Sequence, residues 1–175
     1  MLEIELTFLA KEIPVGLLEC QSKKVIDIYL PNAIKEHAPI RIRKSGDVCE
    51  ITKKHRLKED DGSQLVEQTI KLTQNEFSLL EKEIVGRRIE KTRYYYNYGG
   101  RTAEIDVFEK GLLGLVIVEF EFDNEKELRD FEMPSFCLAN VTQANFTRGG
   151  MLCGKNYAEI ELELTKYGYK KLVLK

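Results

Sequence analysis

The chain lacks most of the short signals by which a protein's chemistry is usually recognised. No apolar run approaches the roughly 20 residues of a membrane-spanning helix. From Leu2 onward the N-terminus alternates like a strand, without the basic, apolar and small-residue blocks of a signal peptide. Cys20, Cys49, Cys137 and Cys153 are scattered and form no CxxC pair, so free thiols in a reducing compartment are expected. There is no GxxxxGK[ST] run, which removes a P-loop route to phosphate binding. The two histidines, His37 and His55, stand outside any acidic cluster and read as incidental. Neither sign of charge dominates: 27 Lys and Arg face 29 Asp and Glu, a net charge of -2, which argues against a nucleic-acid binder with a basic surface. Asn140-Val-Thr142 and Asn145-Phe-Thr147 match the glycosylation pattern but read as chance without a signal peptide. The expectation is a cytoplasmic protein of one domain, residues 1–175, with no membrane and no nucleic-acid partner.

What the chain does contain is charge in an unusual arrangement. Charged residues make up 32% of it and hydrophobic ones 43%, enough for a real core. Many of the charges form like-signed pairs two residues apart on strand-like stretches: Glu3 and Glu5, Arg41 and Arg43, Lys91 and Arg93, Glu104 and Asp106, Glu119 and Glu121. Side chains at i and i+2 on a strand share a face, so each pair sets two like charges side by side. Such neighbours repel unless an opposite charge lies between them.

Strands are predicted near 2–9, 24–30, 40–44, 47–54, 64–71, 87–97, 101–109 and 115–123, with tight-turn signals at Ser45-Gly46-Asp47 and Asn97-Tyr98-Gly99-Gly100. Gln74 to Val85 has helical spacing of Phe77, Leu80 and Ile84, opened by a capping box of Thr73 and Glu76. A second helix is expected over Asn124 to Phe131 and a third within Lys155 to Tyr169. Eight sequence-adjacent strands point to an α+β protein built on an eight-stranded antiparallel β-barrel, with helices packed outside. In Leu115 to Phe122 the residues Val116, Val118, Phe120 and Phe122 share one face and Ile117, Glu119 and Glu121 the other. Arg41 and Arg43 likewise oppose Ile40 and Ile42. The charged face suits either a solvated outer surface or a charged lumen. Segregation of sign by strand favours the lumen, because a solvated face gains by mixing signs across strands.

Clustered carboxylates without histidine or cysteine suit a hard divalent cation, and clustered Arg and Lys suit phosphate oxygens. Together they describe a site for a polyphosphate bound with Mg2+ or Mn2+. The ordered series Glu3-Ile4-Glu5, Arg41-x-Arg43, Lys53, Lys91-x-Arg93, Glu104-x-Asp106 and Glu119-x-Glu121 resembles the CYTH superfamily, the triphosphate tunnel metalloenzymes. The resemblance implies a barrel tunnel and metal-dependent hydrolysis of inorganic triphosphate, thiamine triphosphate or a nucleoside triphosphate. A cyclase making cyclic AMP from ATP and a catalytically weak polyphosphate-binding module are the alternatives, and a homodimer is compatible with the family. It further implies that Glu3, Glu5, Glu104, Asp106, Glu119 and Glu121 hold the metal, and that Arg41, Arg43, Lys53, Lys91 and Arg93 grip the triphosphate. Glu5, Arg41, Arg43, Lys91 and Arg93 would carry catalysis. Glu67, Arg148 and Lys155 match more loosely. The family opens on ExExK, whereas here Thr7 stands where the lysine would be; Lys11 is the next cation along. Loss of one cationic stabiliser costs about 100- to 1000-fold in rate, so turnover is where this chain is expected to depart from the pattern.

Overall fold

The computed structural model describes residues 2–30, 40–58, 60–84 and 87–174. Eight strands are hydrogen-bonded in the order β5 (Asp61–Leu72), β4 (Val48–Lys58), β3 (Ile40–Ser45), β2 (Ser22–Leu30), β6 (Arg88–Tyr98), β7 (Arg101–Phe108), β8 (Val116–Phe122), β1 (Leu2–Ala10). β5 then pairs with β1, so the sheet closes into an antiparallel barrel. Closure leaves none of the eight strands as a bare edge.

The seam between β1 and β5 is short, running only from Leu2 to Ile4 on β1. Farther along, β1 changes partner and pairs through Phe8 to Ala10 with a ninth strand, β9 (Cys137–Asn140). Between the two, the Val141 N–H donates to the Thr7 carbonyl at 2.8 Å, and the Thr7 N–H donates to Thr142 Oγ1 at 3.0 Å. The segment after β9 therefore continues the wall where β5 has parted from β1. β9 was not among the predicted strands; four residues following Pro134 carry too little alternation to show it.

The strands' alternate faces go to different environments. Outward from β1, β7 and β8, Ile4, Leu6, Phe8, Ala103, Ile105, Val118 and Phe120 are buried beneath Phe131 and Phe136. The rings of Phe120 and Phe131 lie 4.6 Å apart, close after helix α2 (Glu125–Arg129). Helix α1 (Gln74–Glu83) seats Phe77 on Ile28, Ile42 and Cys49. Its start is held by the predicted capping box, Glu76 N–H to Thr73 Oγ1 at 3.2 Å and Thr73 N–H to Glu76 Oε2 at 2.7 Å, worth about 1 kcal/mol. The predicted end of that helix, Val85, lies outside the described residues.

The inward face is not charged throughout. At one end it turns apolar through Leu9, Tyr29, Ile89, Phe108 and Ile117. These pack on Leu152 of α3 (Gly149–Leu152) and on Tyr157, Ile160 and Leu164 of α4 (Tyr157–Thr165). The C-terminal segment thus gives the barrel an apolar floor, and α4 is the helix expected within Lys155 to Tyr169. Among the described residues no helix is long and apolar enough to cross a membrane.

Candidate active site

Above the floor lies a cavity of about 250 Å³. Its lining separates by sign around the barrel. Of the contiguous strands β4, β3, β2 and β6, β4 contributes Lys54 and Arg56, β3 Arg41 and Arg43, and β6 Lys91 and Arg93. The contiguous strands β7, β8, β1 and β5 contribute Glu104, Asp106, Glu119, Glu121, Glu3, Glu5 and Glu67. A basic half-wall therefore faces an acidic half-wall across the lumen. Two acids, Asp27 on β2 and Glu50 on β4, stand on the basic side.

Several of these charges are already matched. Asp106 is 1% exposed and takes Lys91 Nζ and Arg93 Nε on separate oxygens, the latter at 2.7 Å, with Arg93 Nη2 at 2.6 Å. Arg93 also reaches Glu104, and Glu119 at 2.6 Å. Asp27, equally buried, receives Arg43 in a bidentate pair at 2.6 and 2.7 Å. Burial alone would raise both aspartates. For Asp106 the charges of Arg93 and Lys91 outweigh it and hold the carboxyl down at about 2. For Asp27, Arg43 and Arg41 do the same and hold it well below the carboxylate range. Burial brings Lys91 below its ordinary value, against the pull of Asp106. Charged, bidentate geometry of this kind locks arginines in place.

Other charges are not closed into direct ion pairs. Glu5 and Glu121 make no ion pair among the described residues, and neither does Arg41, whose Nε is buried without an acceptor. Burial pushes the Glu5 carboxyl up to about 7; Lys54 opposes that shift, while Glu119, Glu3 and Glu121 reinforce it. A buried donor without an acceptor on one wall and a carboxyl short of counter-charge on the other are both satisfied by an oxyanion carrying a cation. The donor set is all carboxylate, which fits a hard divalent ion. Among the described residues no three acids yet converge as ligands. Glu3 and Glu67 instead close on Lys54, the second at 3.1 Å, and Glu104 and Glu119 close on Arg93.

Of the residues singled out from sequence, Glu3, Glu5, Arg41, Arg43, Lys91, Arg93, Glu104, Asp106, Glu119 and Glu121 all line the cavity, together with Thr7, Glu67 and Arg148. Lys53 does not. It is exposed and pairs in register with Ile40, on the face that α1 covers at Cys49 and Ile51. Lys54, one residue on, is the lumen lysine. Lys155 is not part of the lining, Lys11 is exposed beyond the end of β1, and His37 lies outside the described residues. His55 is exposed at the cavity's margin. Asp27, Tyr29, Glu50 and Thr52 were not anticipated, although the outward Ile26 and Ile28 already imply that Asp27 and Tyr29 point inward.

No protein-family model matches the chain. It is 31% identical over 144 residues to a curated inorganic triphosphatase of Nitrosomonas europaea, spanning 82% of this chain and 91% of that one. A crystal structure of an inorganic triphosphatase superposes with a TM-score of 0.63 at 28% identity, over 86% of this chain and 93% of the other. A candidate adenylate cyclase from Bacillus halodurans shares the fold, with a TM-score of 0.51 at 13% identity, over 99% and 93% of the two chains.

Proposed function

The chain belongs to the CYTH superfamily of triphosphate tunnel metalloenzymes, and from that premise we propose that it hydrolyses inorganic triphosphate with Mg2+ or Mn2+ held by lumen carboxylates. Triphosphate hydrolysis is the reaction; the choice of inorganic triphosphate and of the ion is our reading. The observation that carries it is the lumen split into a basic and an acidic half-wall, with Arg41 Nε left without an acceptor on one and Glu5 outside any direct ion pair among the described residues on the other.

Arg41, Arg43, Lys91 and Arg93 would bind the phosphate oxygens, with Lys54 in the place first given to Lys53. Glu3, Glu5, Glu119 and Glu121, joined by Glu104, would hold the cation. When bound there, the cation would offset negative charge on the triphosphate. Asp106, with both oxygens turned onto Lys91 and Arg93, serves as their counter-ion. Water attacks the terminal phosphorus, its proton passes to a lumen carboxylate, and the basic half-wall takes up the charge developing on the departing pyrophosphate. The apolar floor and the buried walls restrict competing water around the site.

The cavity's own lining offers few rings to hold the base of a nucleotide. Apart from the exposed His55, the aromatic side chains among the described lining are Tyr29 and Phe108, and both belong to the buried floor. One further ring, Tyr95, follows Arg93 on the inward face of β6, and it lines an adjoining pocket with Arg43, Glu50 and Arg93 rather than the cavity itself. Phosphate release should be measured from tripolyphosphate, thiamine triphosphate and ATP with Mg2+ or Mn2+ at several pH values. The expected outcome is one phosphate and one pyrophosphate per tripolyphosphate, with ATP slower by roughly tenfold or more, the scale at which a site discriminates by a contact worth about 1.4 kcal/mol. Cyclic AMP as the product, or no phosphate from any of the three, would overturn the reading.

A further inference from the structure

Lys54 sits at the β4–β5 boundary, where the basic half-wall meets the acidic one. Its own strand, β4, belongs to the basic side, and it pairs in register with Glu67 of β5. From there its ammonium contacts Glu3 of β1 and lies 3.1 Å from Glu67. Side-chain exposure is 25% for Lys54, 16% for Glu3 and 18% for Glu67, so the cluster is enclosed but reachable from the lumen. Glu5, two residues along β1 from Glu3, feels the same ammonium. The neighbouring inward position on β1 is Thr7, which brings no charge of its own. Lys54 therefore engages Glu3 and bears on Glu5, two of the carboxylates that the proposed function assigns to a divalent ion.

We propose that Lys54 is an exchangeable counter-ion: it occupies the carboxylates of Glu3 and Glu67 in the metal-free protein and moves to a phosphate oxygen when a divalent cation takes its place. The inference rests on the reading of the lumen as a triphosphate site. An ammonium and a divalent ion held on the same carboxylates repel each other at short range, so binding of one disfavours the other. A displaced ammonium in an enclosed lumen needs a new anion, and the strand next to Lys54's own, β3, turns Arg41 and Arg43 into the same lumen, where the phosphate chain is proposed to bind. Each ligand then removes an obstacle to the other: the cation releases Lys54 for phosphate, and phosphate draws Lys54 off the cation's carboxylates. By linkage the two must bind with the same positive coupling in either order. The cation that β1 lacks at Thr7 is supplied across the barrel, in a form that depends on the metal.

The test uses the full chain freed of metal, with Mn2+ as the cation and imidotriphosphate, whose P–N–P links resist hydrolysis, as the anion. Mn2+ affinity is measured by calorimetry, with and without imidotriphosphate, for the parent, Lys54→Met and Lys54→Arg. In the parent, imidotriphosphate should tighten Mn2+ binding by about tenfold or more, within the usual range of coupling between sites. Lys54→Met should bind Mn2+ alone more tightly than the parent, roughly tenfold, and should lose most of the coupling. Lys54→Arg should retain the coupling, which excludes a general packing defect. Mn2+ binding that weakens or stays unchanged in Lys54→Met, with the coupling intact, would overturn the proposal. The outcomes separate from those of the function itself: coupling without phosphate release leaves the exchange standing and removes the hydrolase, while phosphate release without coupling does the reverse.

Discussion

Replacing Asp106 by asparagine is the sharpest test of which lumen charges hold the barrel and which await a ligand. Asp106 is 1% exposed and is the shared acceptor of two cations, Lys91 and Arg93, which are themselves 9% and 11% exposed at the side chain. An amide offers one oxygen in place of two and no charge, so Asp106→Asn strands both cations in a low-dielectric interior. The pH linkage sets a lower bound. The carboxyl is held at about 2 against an ordinary 3.8, and a difference of that size is worth about 2 kcal/mol above pH 4. Breaking a buried pair by removing one partner costs about 3–5 kcal/mol, which sets the upper end. The loss should be read as a shift in the urea midpoint of metal-free protein at pH 7. Because the folded pKa is depressed, this stabilisation is complete above the unfolded value of 3.8 and disappears as pH falls toward 2. Parent and variant should therefore converge on acidification. Glu119→Gln, which removes a partner 26% exposed at the side chain, should lose about 1 kcal/mol or less. If Asp106→Asn unfolds at the parent's midpoint while binding Mn2+ at least tenfold more weakly, Asp106 is a metal ligand and the reasoning fails.

Glu5→Gln tests the opposite sign. Burial raises the Glu5 carboxyl from 4.5 to about 7, so the folded state keeps a proton that the unfolded chain has lost, and stability drains away as pH rises from 4.5 through 7. In metal-free protein the variant should match the parent near pH 4.5 and exceed it at pH 8 by up to about 3 kcal/mol; parallel pH curves would refute this. Gly149→Ala tests the floor. A β-carbon at 149 would overlap the Tyr29 hydroxyl, on a ring that is 7% exposed, and forced repacking of this kind costs about 1–3 kcal/mol. Thermal unfolding unchanged from the parent would mean that Tyr29 has room to move.

The barrel was legible because like-charged pairs and apolar residues alternate with a period of two, and that period alone assigns faces. Where the phase was read through both faces of a strand, the placement held: Arg41 and Arg43 oppose Ile42, and Glu119 and Glu121 oppose Phe120. Lys53 was misplaced because two adjacent lysines invite a choice by type. Cys49 and Ile51 lie in phase with Lys53 and pack toward α1, so the same alternation already assigned Lys54 to the lumen. Asp27 was overlooked because it is a single acid in an apolar strand rather than one of a pair. Two features had no local signal. β9 is stabilised by the particular stretch of β1 that β5 leaves unpaired. The floor arises because the inward residues Leu9, Ile89, Phe108 and Ile117 come from four different strands. Both depend on contacts distant in sequence, which periodicity within one segment does not report.

Repulsion within each like-charged pair is relieved by two different means, and the difference separates structure from function. Arg93 and Lys91 are answered by Asp106, and Arg43 by Asp27, all deep in the lumen and within the protein itself. Those pairs need nothing from outside, and their role is to hold the basic half-wall rigid before substrate arrives, which lowers the reorganisation required during reaction. Arg41 on one wall and Glu5 and Glu121 on the other are not answered in this way. A ligand that is anionic toward β3 and cationic toward β1 and β8 completes both at once. A phosphate chain carrying a divalent ion has that polarity. A bare anion would complete only the basic half-wall and would leave the acids of β1 and β8 facing it. Charge complementarity therefore favours metal and triphosphate bound together, and Lys54, standing between the half-walls, is the residue through which each would register the other.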